Sequence, residues 1–355
     1  MTTKTEGVSS VAFLILLALF LQVLFFSPLS SPDFLELPKA GNAWNNQLQK
    51  VTKLGEGILD KPEDVVFDED GALYTATRDG WIRKMHRNGS WENWKYLASE
   101  SMLGITTSST PGHFIVCHAA NGLLKVSRDE VRVLATEADG ERIKFADDAI
   151  EAADGTVYFS DVSTKFGFHD WYLDVLEAKP HGRLLKYDPL TKKTSVLIND
   201  LCFANGVALS KDEEYLVICE TSKFRCLKYH LMGENKGKLE VFVENLPGAP
   251  DNIKLAPDGT FWVALLELRL SGLPFAHNWK IVKHFLATYP KLIELTKGVY
   301  KKAMVANIGS DGKIIQKFDD SNGKVMAFVT SVLEFEDHIY IGSLHSNFIG
   351  KLQLR

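Results

Sequence analysis

The stretch Asp154-Gly155-Thr156-Val157-Tyr158-Phe159, followed by GRLLKYD at 182–188, decides the fold. An Asp-Gly turn leads into a short apolar strand with an aromatic residue near its start, and a second apolar strand follows another turn. Similar units begin at Glu69, Pro111, Asp212, Asp258 and Asp337. Their spacing of roughly 40 to 60 residues, with one longer interval after Trp262, is typical of propeller blades. The sequence therefore predicts an all-β fold, a six-bladed β-propeller over residues 50–355.

Two further points bear on this architecture. A β-sandwich is the alternative for many short strands, but a sandwich does not need six similar units. Because radial repetition must close, a strand near Thr52 to Leu59 is expected to complete the blade that the last residues build. We therefore expect one closed ring and no second domain.

Composition limits the classes of function. The 355 residues are 45% hydrophobic and 24% charged, as in an ordinary globular protein. Forty basic and 45 acidic side chains give a net charge of −5, so no nucleic-acid partner is expected. The four cysteines are too few for a disulfide scaffold and include no C-x-x-C pair.

The amino-terminal segment carries a membrane signal. Residues 11–26 read VAFLILLALFLQVLFF, apolar except for Gln22 and close to the ~20 residues that span a bilayer. The following residues, 27–32, lack the small-residue cleavage pattern, which favours an uncleaved anchor over a cleaved signal peptide. A buried core helix is the third alternative, but nothing amphipathic interrupts the run. Residues 1–32 are thus predicted as a signal-anchor or signal peptide, with membrane contact through this segment.

Either signal delivers the body to the lumenal side of the endomembrane system, anchored or released into the lumen. Asn88-Gly89-Ser90 is a glycosylation sequon that would be modified there, at Asn88. Cys219 and Cys226 flank a six-residue turn between two strand-like runs and could pair in such a compartment.

The longest interval between units contains an insertion from about Ser271 to Ala306. Its apolar residues recur at helical spacing around Pro290, which predicts two short helices before the last blade. Between His277 and Ala306 it has six Lys and the single Glu294, an excess that suits a cap over the propeller or a membrane surface. A solvated helical face over the core is the alternative.

Polar residues precede the apolar inner strand in four of the units. They are Glu63, Asp147, Asn205 and Asp251, with Asp148 and Asn252 adjacent. Equivalent positions of propeller blades converge on the central channel, so these side chains are expected to meet at its mouth. Carboxylates and amides without His or Cys form the all-oxygen ligand set that Ca²⁺ prefers. The alternative for each residue taken singly is a turn cap or a solvated side chain.

A calcium ion with one open face could hold a carbonyl oxygen of a small-molecule substrate as a Lewis acid. Hydrolysis of an ester or lactone would then need a base for the attacking water, and Asp251, Asp148 and His118 are the candidates. His118 also reads as an ordinary strand-end histidine, and His169 in KFGFHDW is undecided in the same way. The absence of a G-x-S-x-G elbow, a Walker loop and an H-E-x-x-H helix argues against serine hydrolases, nucleotide binding and zinc proteases.

Several adjoining segments resemble plant strictosidine synthase-like proteins. They are KPEDVVFDEDGALYTAT, DGTVYFSDVSTKF, HGRLLKYDP, CFANGVALSKDEEYLVICET and LPGAPDNIKLAPDGTFWVA, which lie between residues 61 and 264. The set is similar to adipocyte plasma membrane-associated proteins too, and more distantly to paraoxonases and gluconolactonases, which are six-bladed calcium propellers. The resemblance covers nearly the whole body and implies a calcium site at Glu63, Asp147, Asn205 and Asp251, with Asn252 alongside. Position 147 is usually Asn in the hydrolytic relatives, so Asp147 adds a negative charge.

The activities of the named relatives do not transfer intact. Strictosidine synthases condense tryptamine with secologanin using a Glu in the last blade, upstream of a strand that Tyr340-Ile341-Gly342 matches here. The corresponding position is Thr330, with Phe328 where a pocket His would stand, and Glu334 comes too late. The paraoxonase His pair is only half present, because His118 matches one member and the other falls near Leu103.

Three functions are compatible with these residues. The leading hypothesis is a calcium-dependent hydrolase of small esters or lactones in the plant endoplasmic reticulum or vacuole. Amine–aldehyde condensation in alkaloid biosynthesis is the second, weakened by Thr330. The third is a non-catalytic, ligand-binding propeller in stress or defence responses. The sequence contains no indication of an oligomeric state.

Overall fold

The chain forms six four-stranded antiparallel sheets that follow one another around a central axis, a six-bladed β-propeller. The computed structural model describes residues 2–38, 45–268, 278–292 and 302–354. The first strands of neighbouring blades contact one another, so they line the axis. The predicted fold class is confirmed.

The strands follow in chain order. The first of them is β1 (Thr52–Leu54). Blade 1 contains β2 (Val65–Phe67), β3 (Leu73–Ala76), β4 (Trp81–Met85) and β5 (Trp91–Tyr96). Blade 2 contains β6 (Met102–Thr107), β7 (Phe114–His118), β8 (Gly122–Val126) and β9 (Val131–Ala135), followed by a small ribbon of β10 (Glu137–Ala138) and β11 (Glu141–Arg142). Blade 3 contains β12 (Ala146–Glu151), β13 (Val157–Asp161), β14 (Gly182–Asp188) and β15 (Lys193–Leu201).

The second half of the ring is built in the same way. Blade 4 contains β16 (Ala204–Leu209), β17 (Tyr215–Glu220), β18 (Arg225–His230) and β19 (Leu239–Val243). Blade 5 contains β20 (Ala249–Leu255), β21 (Phe261–Leu266), β22 (Ala303–Ile308) and β23 (Ile314–Asp320). Blade 6 contains β24 (Val329–Phe335), β25 (His338–Ser343) and β26 (Ile349–Gln353), and β1 is its outer strand.

The ring closes where β1 pairs with β26, with Thr52 opposite Lys351 and Leu54 opposite Ile349. The predicted closing strand is therefore present, although it ends at Leu54. After it the chain turns, since the amides of Ile58 and Leu59 both donate to the carbonyl oxygen of Gly55.

Alternation of side chains along a strand lets one strand serve two interfaces between blades. In β21, Phe261 packs into a buried cluster with Val217 and Cys219 of blade 4. The next residue, Trp262, packs into a different cluster with Val329 and Ile341 of blade 6. The core of the molecule is thus a ring of separate apolar layers between blades, and the axis is left to polar residues.

Three α-helices accompany the propeller in the part of the chain that the structure describes. They are α1 (Thr2–Phe26), α2 (Trp171–Glu177) and α3 (Lys280–Thr288). Within the described residues, no helix combines the length and the hydropathy that crossing a membrane requires. The choice between a membrane anchor and a signal peptide stays a prediction.

The insertion belongs to blade 5, between β21 and β22. Helix α3 is one of the two predicted helices, and a helical turn at 290–292 follows it. The rest of the second predicted helix and the start of the insertion lie in 293–301 and 269–277, outside the described residues. The predicted end at Ala306 is wrong, because Ala303 already pairs with Asp320 as part of β22.

Residues 27–38, the N-terminal strap, lie against the body beside α2 and α3. Leu29 and Leu35 are buried, and the amide of Ser30 donates to Glu177 Oε1 over 2.7 Å. Although burial opposes it, hydrogen bonds from His181 and Lys165 lower the pKa of Glu177 to about 2. The predicted boundary at residue 32 therefore falls inside a packed segment.

Two smaller predictions concern modification. Cys219 and Cys226 are opposite each other on β17 and β18, and the structure joins them in a disulfide. Cys117 and Cys202 are buried free thiols. Asn88 is exposed in the turn between β4 and β5, where its side-chain oxygen accepts a hydrogen bond from Ser90 Oγ over 2.7 Å. Its glycosylation stays a prediction.

Candidate functional site

The inner strands of blades 2 to 5 share one irregularity. Each contains a bulge in which two residues face one residue of the next strand, between Met102 and Ile105, Ala146 and Ala149, Ala204 and Val207, and Pro250 and Ile253. A bulge bends its strand and redirects side chains that a regular strand would alternate. Asp147, Asn205 and Asp251 occupy three of these bulges, which is how short apolar strands present polar groups to the axis.

Glycines allow the inner strands to approach at the bulges. A Cβ atom on Gly104 would lie 2.6 Å from the carbonyl oxygen of Asp147, and one on Gly206 would lie 2.5 Å from that of Asp251. Both contacts involve backbone, which cannot move aside as a flexible side chain can. The polar ring at the axis therefore requires glycine in blades 2 and 4.

The structure brings the predicted ligand residues together at one cavity of about 710 Å³. Glu63, Asp147, Asn205 and Asp251 all line it. Asn252 is fully buried beside them and donates from Nδ2 to Glu63 Oε1 over 3.0 Å. These five residues form what we call the mouth layer.

Four oxygen atoms of the mouth layer are buried without a hydrogen-bond partner. They are Glu63 Oε2, Asp147 Oδ2, Asn205 Oδ1 and Asn252 Oδ1. A buried polar atom without a partner is costly, and native proteins retain few of them. Oxygens from four different inner segments, gathered beside one cavity, are the arrangement that a hard cation satisfies, at about 2.3 to 2.6 Å for Ca²⁺.

The pKa values of the three carboxyl groups in the mouth layer also favour a bound cation. Burial, and next the neighbouring Asp148, raises the pKa of Asp147 to about 8. Burial and then Asp64 raise the pKa of Glu63, and burial and then Asp147 raise the pKa of Asp251. Carboxylates forced together bind protons in place of a cation, and a divalent cation would reverse these shifts.

The donor set combines three carboxylates with two amides. Among residues 2–38, 45–268, 278–292 and 302–354, no three His, Cys, Asp or Glu side chains form a metal-binding group on their own. The unpartnered oxygens of Asn205 and Asn252 complete the set, and the chemistry of all five donors suits Ca²⁺ better than zinc or copper.

A second acidic layer lies next to the first, away from the cavity. Asp64 and Asp148 both hold Lys254, whose Nζ lies 2.8 Å from Asp64 Oδ2 and 3.2 Å from Asp148 Oδ1. Burial would lower the pKa of Lys254, but Asp148 and Asp64 outweigh burial and raise it. We call these three residues the inner layer. Sequence reasoning missed Lys254, although a lysine inside the apolar run after Asn252 was a visible signal.

Two of the three predicted bases are not at the cavity. The Oδ1 atom of Asp148 accepts from Lys254 and the amide of Ala149, and Oδ2 accepts from the amide of Val207, so the carboxylate is committed to the inner layer. His118 ends β7, the second strand of its blade, and lines a separate cavity of about 540 Å³ together with Asn121. The predictions of Asp148 and His118 as bases at this cavity are corrected, and Asp251 is the one of the three that lines it.

Aromatic residues form the wall of the main cavity, and basic residues lie among them. The aromatic side chains are Phe145, Phe168, Trp171, Phe203 and Phe328. Lys61, Arg78, His169 and His345 line the same cavity. Of these, sequence reasoning had considered only His169. Arg78 follows β3 in a turn, where nothing in the spacing singled it out.

The last blade contributes no carboxylate to this cavity. Thr330 is buried and donates from Oγ1 to the carbonyl oxygen of Glu63 over 2.7 Å, and Glu334 accepts a hydrogen bond from Trp262 Nε1 over 2.7 Å. Neither residue lines the cavity, whereas Phe328 does. The last-blade carboxylate that the condensation would use is thus absent from the described lining.

Comparison with known proteins is consistent with this geometry. The family model for strictosidine synthase matches residues 147–234, and that for the strictosidine synthase-like N-terminal region matches residues 43–85. A strictosidine synthase-like protein of Arabidopsis thaliana is 36% identical over 310 residues, covering 85% of this chain and 81% of its own. The adipocyte plasma membrane-associated protein of Mus musculus is 32% identical over 333 residues, covering 88% and 80%.

Solved structures show the same fold at low identity. A gluconolactonase from Xanthomonas campestris superimposes with a TM-score of 0.59 at 14% identity, covering 84% of this chain and 87% of its own. A calcium-binding regucalcin from Agrobacterium tumefaciens gives 0.52 at 13% identity, covering 83% and 90%. Lactone chemistry and calcium binding thus both occur on propellers of this shape.

Proposed function

The chain belongs to the strictosidine synthase-like family, and on that premise we propose that it is a calcium-dependent hydrolase of small esters or lactones. The observation that supports this proposal most directly is the set of four unpartnered buried oxygens in the mouth layer, which lie beside a cavity large enough for a small substrate. The gluconolactonase-like shape of the fold is a weaker, fold-level support.

Glu63, Asp147, Asn205, Asp251 and Asn252 would hold the calcium ion. When bound, the ion would polarise a substrate carbonyl as a Lewis acid. Asn205 hydrogen-bonds to Asp251 and so orients its carboxylate toward the cavity. Asp251 is the one predicted base that lines the cavity, and in this proposal it accepts the proton of the attacking water.

The wall of the cavity would position the substrate. Phe145 contacts Phe168 and Phe203 edge to face, with ring centroids 5.5 and 6.1 Å apart, so these rings brace one another. Apolar and aromatic surface binds the body of a ligand and excludes water from the reacting group. Leu35 of the N-terminal strap packs in the same apolar cluster as Phe145 and Phe203, and it helps to close the wall of the cavity.

The central experiment assays aryl esters and lactones with calcium and with a chelator, beside calcium-dependent thermal unfolding. We expect turnover only with calcium, and a stabilisation of about 3 kcal/mol at a calcium concentration 100-fold above Kd. Glu63→Gln should remove both effects, and Asp251→Asn should remove turnover. Glu69→Gln, the same change at an exposed acid, is the matched control.

Two results would contradict the proposal. Turnover indifferent to Glu63→Gln and Asp251→Asn would exclude this mechanism. Calcium binding without turnover of any ester or lactone would indicate a ligand-binding propeller instead. Incubation of the same protein with tryptamine and secologanin tests the condensation activity, for which we expect no product because Thr330 replaces the required carboxylate.

We also propose that the protein acts on the lumenal side of the endomembrane system. The apolar run at 11–26 and the Cys219–Cys226 disulfide support this location, since disulfides persist in oxidising compartments. Asn88 is exposed, as a glycan acceptor must be. Expression in plant cells should give an endoglycosidase-sensitive band that Asn88→Gln abolishes, and a wild-type band insensitive to the enzyme would argue against lumenal delivery.

A further inference from the structure

We propose that Arg78 binds a carboxylate of the substrate, so that the cavity selects monoanionic compounds with an apolar, flat body. The inference rests on the proposed function, because it identifies the substrate class of the same cavity. Arg78 is then a specificity-determining residue. It binds the carboxylate end of the ligand, and the mouth layer faces the end that reacts.

The position of the guanidinium supports this role. Arg78 lines the cavity, and its charge acts on both Glu63 and Asp147, so it lies close to the mouth layer. Its guanidinium stands over the ring of Phe168, 4.3 Å from the centroid. Stacking on an aromatic face holds the planar group in place and leaves its edge available for hydrogen bonds.

Within the described residues, Arg78 uses few of its hydrogen-bond donors. Nη1 donates to the carbonyl oxygen of Glu100, and no described carboxylate forms an ion pair with the side chain. Arg83, by comparison, pairs with Asp79, and Arg183 pairs with Asp161 over 2.6 Å. A half-buried guanidinium without an ion-pair partner has lost part of its hydration, and an anion in the cavity would restore the lost interactions.

The surrounding charges limit the anion to a single negative charge. Asp60 and Glu100 also line the cavity, and the three carboxylates of the mouth layer are close. A dianionic phosphate would be repelled by these groups. A carboxylate carries one charge and can accept two parallel hydrogen bonds from one guanidinium. The aromatic wall described above supplies the complementary surface for the rest of the ligand.

The test uses isothermal titration calorimetry with two ligands of nearly the same shape, the anion 3-phenylpropanoate and the neutral 3-phenylpropanamide. In calcium buffer, wild-type protein should bind the carboxylate at least about tenfold more tightly than the amide. Arg78→Met should weaken carboxylate binding about tenfold and leave amide binding within about twofold, and Arg78→Lys should give an intermediate loss. Arg87→Met is the matched control, because Arg87 is exposed and pairs with Glu336 over 2.9 Å.

Three outcomes would overturn the inference. They are equal binding of the two ligands by wild-type protein, equal weakening of both by Arg78→Met, and a carboxylate preference that survives Arg78→Met but disappears with a chelator. The last would assign the carboxylate to the metal. Melting temperatures confirm that each variant is folded. Binding is measured without turnover, so carboxylate binding by Arg78 and hydrolysis can fail separately, and the two failures are distinguishable.

Discussion

The mouth layer and the inner layer are built from adjacent residues, yet they differ in how their charge is balanced. Glu63 and Asp64 are neighbours in blade 1, and Asp147 and Asp148 are neighbours in blade 3. In each pair the first residue faces the cavity and the second holds Lys254. The inner layer is therefore neutralised by a cation that belongs to the chain.

The mouth layer has no such cation among its own five residues. Four of its oxygens are left without partners, whereas each carboxylate oxygen of Asp64 accepts a hydrogen bond, from the amides of Val65 and Ile105 and from Lys254. The comparison shows that the buried acids at the axis of this propeller need a nearby positive charge to balance them. The fold supplies it through Lys254 in the inner layer, and in the mouth layer it leaves four buried oxygens without a partner.

Removing the internal cation should produce the largest effect. Lys254→Met leaves Asp64 and Asp148 buried and uncompensated, and breaking a buried ion pair in this way costs about 3 to 5 kcal/mol. We expect that loss in denaturant unfolding of the chelated protein. Calcium should then stabilise Lys254→Met more than it stabilises wild type, because the inner layer would accept a second ion.

Matched variants separate charge from packing. Lys236→Met changes an exposed lysine and should leave stability unchanged. Adding Asp64→Asn and Asp148→Asn to Lys254→Met removes the uncompensated charges and should recover part of the loss. If Lys254→Met is as stable as wild type, the distinction between the two layers fails.

The pH dependence of the chelated protein should show the next largest effect. The folded pKa of Asp147, about 8, lies above its ordinary value of 3.8, so the folded state binds more protons between those values. Stability without metal should therefore fall as pH rises through this window, by about 2 kcal/mol between pH 6 and pH 8 for this group alone. Denaturant unfolding at several pH values measures the slope.

Two additions would sharpen this result. Asp147→Asn removes the titrating group and should flatten the slope, and saturating calcium should flatten it in wild type by holding the carboxylate ionised. An unchanged slope in Asp147→Asn would show that another group is responsible. A chelated protein whose stability rises from pH 6 to pH 8 would contradict the charge repulsion in the mouth layer.

Much of the mouth layer was predictable because it follows from repetition. Residues at equivalent places in a repeated unit meet at the axis of a ring, so Glu63, Asn205 and Asp251 were found from their position before apolar runs. The bulge in β12 directs Asp147 toward the cavity and Asp148 toward Lys254. Its position depends on strand register, which long-range pairing determines. No local pattern distinguishes the residue that lines the cavity from the residue that holds Lys254.

The errors have a similar origin. His118 was considered because histidine is a common base, but its distance from the axis depends on which strand of the blade it ends. The insertion was extended to Ala306 because apolar residues of a helix and of a buried strand look alike over a short run. Arg78 belongs to a turn, and only the folded ring places that turn beside Phe168 and the acids.

The smallest expected effect concerns the residue that replaces a carboxylate in the last blade. Thr330 donates to the carbonyl oxygen of Glu63. Blade 1 contributes Glu63 to the mouth layer and the next residue, Asp64, to the inner layer. Thr330→Val keeps the shape of the side chain and leaves that buried carbonyl without this bond, at about 1 kcal/mol in denaturant unfolding. Because the bond positions Glu63, calcium affinity should also fall by a few-fold, whereas Thr330→Ser should retain both properties. A Thr330→Val variant with lower stability but unchanged calcium affinity would show that the last blade supports the fold without orienting the mouth layer.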